Sequence, residues 1–339
     1  MSSLPEYSMP NPDRRLIMRW AATAGLLGAS GLSWAQGSYP DKPIIVVVPY
    51  AAGGALAVFG QRLVTKMGPL LGGSMVVDPK GGAGGVIGTK AVVGAKADGH
   101  SLLLAATGSQ IISPLTYAQA PFDPLRDFTP IALLTRQPMV LAVNPALKVT
   151  SLEGLIALFK NSPGKYSYAS AGTGALGHLT AELFLREAGS LQVVHVPYKG
   201  GAPALTDVMG GQVAFTWEVM SSVLPFHASG RLRIISVADE KRAPLLPDVP
   251  TAVESGLTNV VSQTQQFLLA PAGLPAAVTT RLSDAVRRTM SDPDFQRDLI
   301  NAGIEPVADS TPASTAEVIK RELDRWRPLV KALDLRPAN

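Results

Sequence analysis

Ile44-Ile45-Val46-Val47-Val48-Pro49-Tyr50-Ala51-Ala52-Gly53-Gly54 decides the fold, because an apolar run ends in a glycine turn and passes straight into a helical pattern from Ala55 to Met67. An unbroken Val/Ile run reads as a strand buried on both faces, and a strand that feeds a helix at once is the opening of a βαβ unit. The turn between them leaves the first N–H groups of the helix without intrahelical partners at the positive end of the helix dipole, so it can hold an anion. A second segment of the same kind follows much later. Lys165 to Ala169 reads as a short strand, Ser170-Ala171-Gly172-Thr173-Gly174 as a turn of small polar residues, and Leu176 to Glu187 as a helix. Two such turns on two α/β units predict one small acid held between two lobes, with donors from each turn on either side of it.

Outward from these turns, short Val/Ile/Leu runs alternate with helical patterns, which predicts an α/β fold with a largely parallel sheet. The expected strands are Ile44–Val48, Met75–Val77, Ser101–Ala105, Ile131–Leu134, Met139–Val143, Tyr166–Ala169, Val193–Val196, Val213–Thr216, Arg233–Val237 and Gln266–Ala270. Helices are expected at Leu152–Lys160, opened by Ser151 as N-cap, and at Pro203–Met209. Pro/Gly-rich stretches place one lobe at residues 39–142 plus 250–339 and the other at 143–249. Thr315 to Leu333 reads as a helix with a Ser314/Glu317 capping box and a kink at Pro328, packed back on the first lobe.

Residues 1–35 read as a signal peptide. Arg14, Arg15 and Arg19 form a basic start, Ala21 to Leu32 is apolar but too short to span a bilayer, and Ser33-Trp34-Ala35 offers a cleavage site after Ala35. Arg14-Arg15 also fits a twin-arginine signal. Removing these residues leaves 304 of 339 and takes away three Arg against Glu6 and Asp13, so the formal charge falls from +4 to +3. That bias is too weak to argue for nucleic acid. The 339 residues include no cysteine, which excludes thiol catalysis and Cys-based metal sites, and the four histidines show no paired ligand spacing. No metal and no cofactor are expected.

Ten pieces in order carry a resemblance. Tyr39-Pro40-Asp41-Lys42-Pro43, Val48-Pro49-Tyr50 with Gly53-Gly54, Gly82-Ala83-Gly84-Gly85, Asp98-Gly99-His100, Asp127-Phe128-Thr129-Pro130 and His195-Val196-Pro197-Tyr198-Lys199-Gly200 are among them. So are Ala202-Pro203-Ala204-Leu205, Gly210-Gly211-Gln212, Leu246-Pro247-Asp248-Val249-Pro250 and Leu269-Ala270-Pro271-Ala272-Gly273. Across residues 39–333 the chain resembles the periplasmic solute receptors of tripartite tricarboxylate transporters, also called Bug proteins. The resemblance implies a type II periplasmic binding protein fold, two lobes with a ligand cleft between them. It implies a receptor that captures a small organic carboxylate and delivers it to a two-component membrane permease, with no chemistry of its own.

The family's binding loops match Tyr50 to Ala55, which includes Ala52, Gly53 and Gly54, and Ser170 to His178, which includes Ala171, Gly172 and Thr173. Thr107 follows a strand and is expected to end near the same cleft and Tyr198 to line its far side, while Lys199 reads as a solvated surface residue and Glu218 matches an acidic position common in relatives. The chain departs from the pattern at Ala57, where relatives carry an Asp; its absence removes a charge that would repel an anion.

The rival class is an exported α/β hydrolase or transferase using Ser170 or Thr173, and a third reading is an extracytoplasmic ligand sensor for a signalling system. Ser170 lacks the Gly-x-Ser-x-Gly context, and Gly82 to Gly88 lacks the last glycine of a dinucleotide fingerprint, where Ile87 stands. A periplasmic monomer with no nucleic-acid partner is expected.

Overall fold

The structure, a computed structural model, describes residues 39–50, 52–116, 121–198 and 200–335. The expected signal peptide and Lys199 lie outside the described residues. The body from Pro40 onward is one unit by its contacts, and within it the strands divide between two sheets that share one long strand.

The first lobe begins with β1 (Ile44–Val48), α1 (Ala55–Leu71), β2 (Met75–Pro79), α2 (Val86–Val93), β3 (Ser101–Ala106) and, after a π-helical turn at 108–112, the short α3 (Ser113–Thr116). Then β4 (Phe128–Val143) leaves for the second lobe, which holds α4 (Leu152–Lys160), β5 (Ser167–Ser170), α5 (Leu176–Glu187), β6 (Val194–Pro197), α6 (Gly201–Met209), β7 (Phe215–Val219), α7 (Met220–Ala228) and β8 (Arg233–Val237). β9 (Gln263–Pro271) returns, followed by α8 (Ala276–Met290), α9 (Pro293–Asn301), β10 (Glu305–Pro306) and α10 (Pro312–Ala332). The strand order is β2-β1-β3-β9-β4-β7-β5-β6, with β10 and β8 also on β4.

The sheet is mixed, not largely parallel. β1 pairs in parallel with β2 and β3, and β5 with β6 and β7, but β4 and β9 run antiparallel to their neighbours. The reason is topological: one strand must leave the first lobe and another must come back, so the two crossings oppose each other. Two expected strands, Ile131–Leu134 and Met139–Val143, are one strand of 16 residues. Thr135-Arg136-Gln137-Pro138 looks like a loop locally, yet it stays extended because Thr135 to Pro138 pair residue by residue with Gln266 to Gln263. Pairing passes from β9 to β7 between Pro138 and Met139. Strand pairing thus passes from one half of the sheet to the other at Pro138/Met139 and, on the return, at Ser262/Gln263, while the sequence placed lobe boundaries at 142/143 and 249/250. Ala252, Leu257 and Val260 accordingly pack in the second-lobe core with Phe159, Phe184 and Trp217.

Alternation along β5 sends Tyr168 into that core and Ala169 into the one on the other face, with Leu205, Val208 and Ile234. The first-lobe core gathers Val47, Leu103, Phe267, Leu269 and Trp326. It also takes Leu179 of α5, which is 0% exposed, while Leu176 and Leu183 lie against both lobes' cores. α10 buries Val318, Ile319, Leu323, Trp326 and Val330 as the spacing demands. Its capping box is Thr311/Ser314, one turn before Ser314/Glu317, and Pro312 at the first helical position favours that earlier start. The helix continues through Pro328 to Ala332.

Candidate functional site

The two glycine turns lie at the C-terminal ends of parallel strands β1 and β5, where an open α/β layer presents its ligands. After β1, Ala52, Gly53, Gly54 and Ala55 are exposed. Gly53 adopts φ 78°, and a Cβ there would meet open space, so glycine is required by backbone conformation and not by room. Gly54 is the N-cap of α1 with no side-chain cap, and the first turn contains no acid. Ala57 is 7% exposed, so its contribution to the turn is a backbone N–H. The second glycine run supports this turn from beneath, because a Cβ on Gly88 would lie 2.8 Å from the Cα of Pro49 and 2.6 Å from the carbonyl of Lys80. Only glycine lets α2 approach so closely.

After β5, the turn is built by side chains. Ser170 is 0% exposed; its Oγ accepts the N–H of Gly172 at 3.2 Å and lies 3.0 Å from the Gly172 carbonyl and 2.7 Å from His195 Nε2. Ala171 accepts a hydrogen bond from Gly200, and Gly172, at φ 137°, accepts one from Ala175. Gly174, at φ 77°, donates its N–H to His178 Nδ1 at 3.1 Å. Thr173 is exposed and its hydroxyl has no partner among the described residues. The N-cap of α5 is Ala175, again with no side-chain cap and no acid in the first turn. A Cβ on Gly174 would sit 3.5 Å from Cγ2 of Thr116 in the first lobe, so this turn lies against the opposite lobe.

Other expected ligand contacts are engaged within the protein. The Thr107 hydroxyl accepts the N–H of Gln265 at 2.8 Å and donates to the carbonyl of Gln263 at 3.4 Å, tying the end of β3 to the returning strand. The Tyr50 hydroxyl lies against Gly108, with burial pushing its pKa up and Ser109 partly offsetting that. Tyr198 donates to Asp207 at 2.6 Å, and burial together with that carboxylate pushes its pKa up to about 12. Glu218 is 8% exposed; its Oε2 would lie 2.5 Å from a Cβ on Gly201, so it stands at the start of α6, and burial raises its pKa. A carboxylate there offsets the dipole of α6.

His195 is the residue that sequence reasoning passed over. Only the pairing of β5 with β6, which sets His195 opposite Tyr168, brings it to the turn, and nothing in the sequence pointed there. The 2.7 Å contact with Ser170 is within reach of a nucleophile and its base, but Ser170 is fully buried, its Oγ already accepts Gly172, and among the described residues no carboxylate hydrogen-bonds His195. The pair is part of the turn's framework. A separate cavity of about 960 Å³ opens beside the crossing strands, lined by Arg136, Pro138, Gln263, Gln265, Asp239 and Arg325 among others; none of the twelve expected residues lines it. Among the described residues no cluster of His, Cys, Asp or Glu could hold a metal ion, and no helix is long and apolar enough to cross a membrane.

This architecture is that of a periplasmic binding protein, and the matches to known proteins agree with it. Residues 61–335 match the family described as "Tripartite tricarboxylate transporter family receptor". The chain is 33% identical to Protein BugT of Bordetella pertussis over 311 residues, covering 91% of this chain and 94% of that one. A protein of R. palustris solved with adipate has a TM-score of 0.77 at 29% identity, with 86% of this chain and 97% of that one covered. MatC from Rhodopseudomonas palustris with bound malate has a TM-score of 0.76 at 28% identity, with 86% of this chain and 100% of that one covered. The chain belongs to the tripartite tricarboxylate transporter receptor family, whose members are solute-binding receptors.

Proposed function

We propose that the protein captures a small organic carboxylate between the Tyr50–Ala55 and Ser170–His178 turns, and that lobe closure on the anion creates the form read by a two-component membrane permease. The observation that carries this reading is the pair of helix starts at Gly54 and Ala175. Neither has a side-chain cap or an acid in its first turn; α2, α6, α7 and α8 lack both as well, and the two starts are set apart because each follows the middle strand of a parallel trio, β1 or β5. Both uncapped starts leave N–H donors for a ligand, and the free Thr173 hydroxyl adds another. Neither turn contains Lys or Arg, so the helix ends themselves would neutralise the anion. The adipate and malate bound by the two R. palustris proteins are acids of this class. The mature receptor is released in the periplasm by cleavage after Ala35 and acts as a monomer.

The test is a thermal-shift screen of mono-, di- and tricarboxylates against their neutral amides. A ligand that binds only the folded state stabilises it by RT ln(1 + [L]/Kd), about 2.7 kcal/mol at 100 Kd. Acids should shift the melting temperature with concentration and amides far less. A screen in which no carboxylate shifts it rejects the reading.

A further inference from the structure

Two imidazoles lie face to face beneath the second-lobe turn. His178 of α5 is 5% exposed, and its ring stacks on His195 of β6 with centroids 4.0 Å apart and planes 15° from parallel. Tyr168 extends the stack, 4.9 Å from His195, and donates its hydroxyl to Glu182 Oε1 at 2.5 Å. Each imidazole grips one end of the turn: His195 Nε2 meets Ser170 Oγ at 2.7 Å, and His178 Nδ1 meets the N–H of Gly174 at 3.1 Å. The second contact admits a single protonation state. A backbone N–H can only donate, so Nδ1 must carry a lone pair and His178 is neutral with its proton on Nε2.

We propose that His178 and His195 are positioning residues of the second-lobe anion site: as a neutral stacked pair they clamp the Ser170–Gly174 turn in the shape that leaves Thr173 free, and a proton on His178 releases it. This rests on the carboxylate reading above. Protonated at Nδ1, His178 would set one N–H against another, and the cation would be stacked directly on a second imidazole. Burial holds both histidines down to about 4, with His178 adding to the effect on His195 and Glu182 opposing it.

The charged and titratable surroundings are few. α5 supplies Glu182, which Tyr168 of β5 holds. Beyond β6, Tyr198 is bonded to Asp207 of α6. Across β5, β7 brings Glu218, which stands against Gly201. From the first lobe, the residue placed at the turn is the uncharged Thr116. Nothing in this set supplies a carboxylate bonded to either ring, which is why the pair stays neutral.

The experiment compares His178→Asn, whose Oδ1 can accept from Gly174, with His178→Leu, which cannot. The ligand-free readouts are imidazole 15N shifts and hydrogen exchange at the Gly174 amide. Expected are an unprotonated His178 Nδ1 at pH 7, protection of Gly174 that falls as that ring titrates, protection kept in His178→Asn, and exchange at least tenfold faster in His178→Leu. A charged His178 at pH 7, or equal Gly174 protection in both variants, overturns the proposal; if His178→Leu does not fold, the wild-type titration and His178→Asn still decide it. With malate as probe at pH 7, Kd should rise about fivefold in His178→Leu and stay within twofold in His178→Asn. Equal malate affinity in both variants removes the positioning role. If wild type binds no carboxylate at all, the ligand reading fails, and the Gly174 measurement separately judges the clamp.

Discussion

The turn after β5 is gripped by side chains as well as backbone, whereas the described residues of the turn after β1 have no such side-chain grip. No side chain hydrogen-bonds Ala52, Gly53 or Gly54 among the described residues, and space around Gly53 is open. Ser170, His195 and His178 grip the second turn at both ends, and Gly177 just beyond it rests on the carbonyl of Trp217. The same task, presenting the N-terminus of a helix, is met once by an arc without side-chain bonds among the described residues and once by a built frame. A frame fixes where its donors point, while an arc can adapt to the far end of a ligand.

The sharpest way to break this contrast is Gly177→Val. Its Cβ would overlap the Trp217 carbonyl, and a backbone atom cannot step aside as a side chain can. A loss of about 3 kcal/mol, the upper end of ordinary overpacking, is expected in urea unfolding; a loss under 1 kcal/mol would show that the second turn also yields.

Acid should act on the frame next. Unfolded His178 takes up a proton below pH 6.5, but the folded ring does so only near pH 4, so its contribution is complete above 6.5 and is lost as pH falls towards 4. For a ring this buried the loss is about 3 kcal/mol at most. His178→Asn should flatten that part of the stability profile, and an unchanged slope would place the titrating group elsewhere.

Gly53→Ala probes the arc. The substitution meets no atom within 4 Å but must hold φ 78°, which costs about 1 to 2 kcal/mol for an L-residue. A cost as large as that of Gly177→Val would erase the distinction between the turns. The smallest effect is expected for Thr173→Val, which deletes one donor. Its loss of about 0.5 to 1.5 kcal/mol in binding should appear as a twofold to roughly tenfold rise in Kd with stability unchanged. Unaltered calorimetric affinity would put the ligand away from this hydroxyl.

Elements with strong local signals were legible from sequence. Ile44–Val48, Leu152–Lys160 with its Ser151 cap, Leu176–Glu187 and Arg233–Val237 have the bounds expected of them. What escaped depends on distant partners. Thr135 to Pro138 are extended only because β9 lies beside them, and β7 runs past the expected end at Thr216 through Glu218 to Val219 because these pair with Val140 and Met139 of β4. The site followed the same rule. Glycine turns are visible in a string of letters, but the bonds that engage Thr107, Tyr198 and Ser170 join residues that only the fold brings together.

Leu179 belongs to the second lobe by chain and to the first lobe's core by packing, with Leu176 and Leu183 straddling the two. Any motion that parts the lobes must therefore wet aliphatic surface, about 1.5 to 3 kcal/mol for a fully buried leucine. Hydration of such surface raises heat capacity. Opening should then leave a calorimetric trace that polar contacts to a ligand do not produce, and ligand uptake that reseals this seam should carry a negative heat-capacity change beyond what a small acid could account for by its own burial.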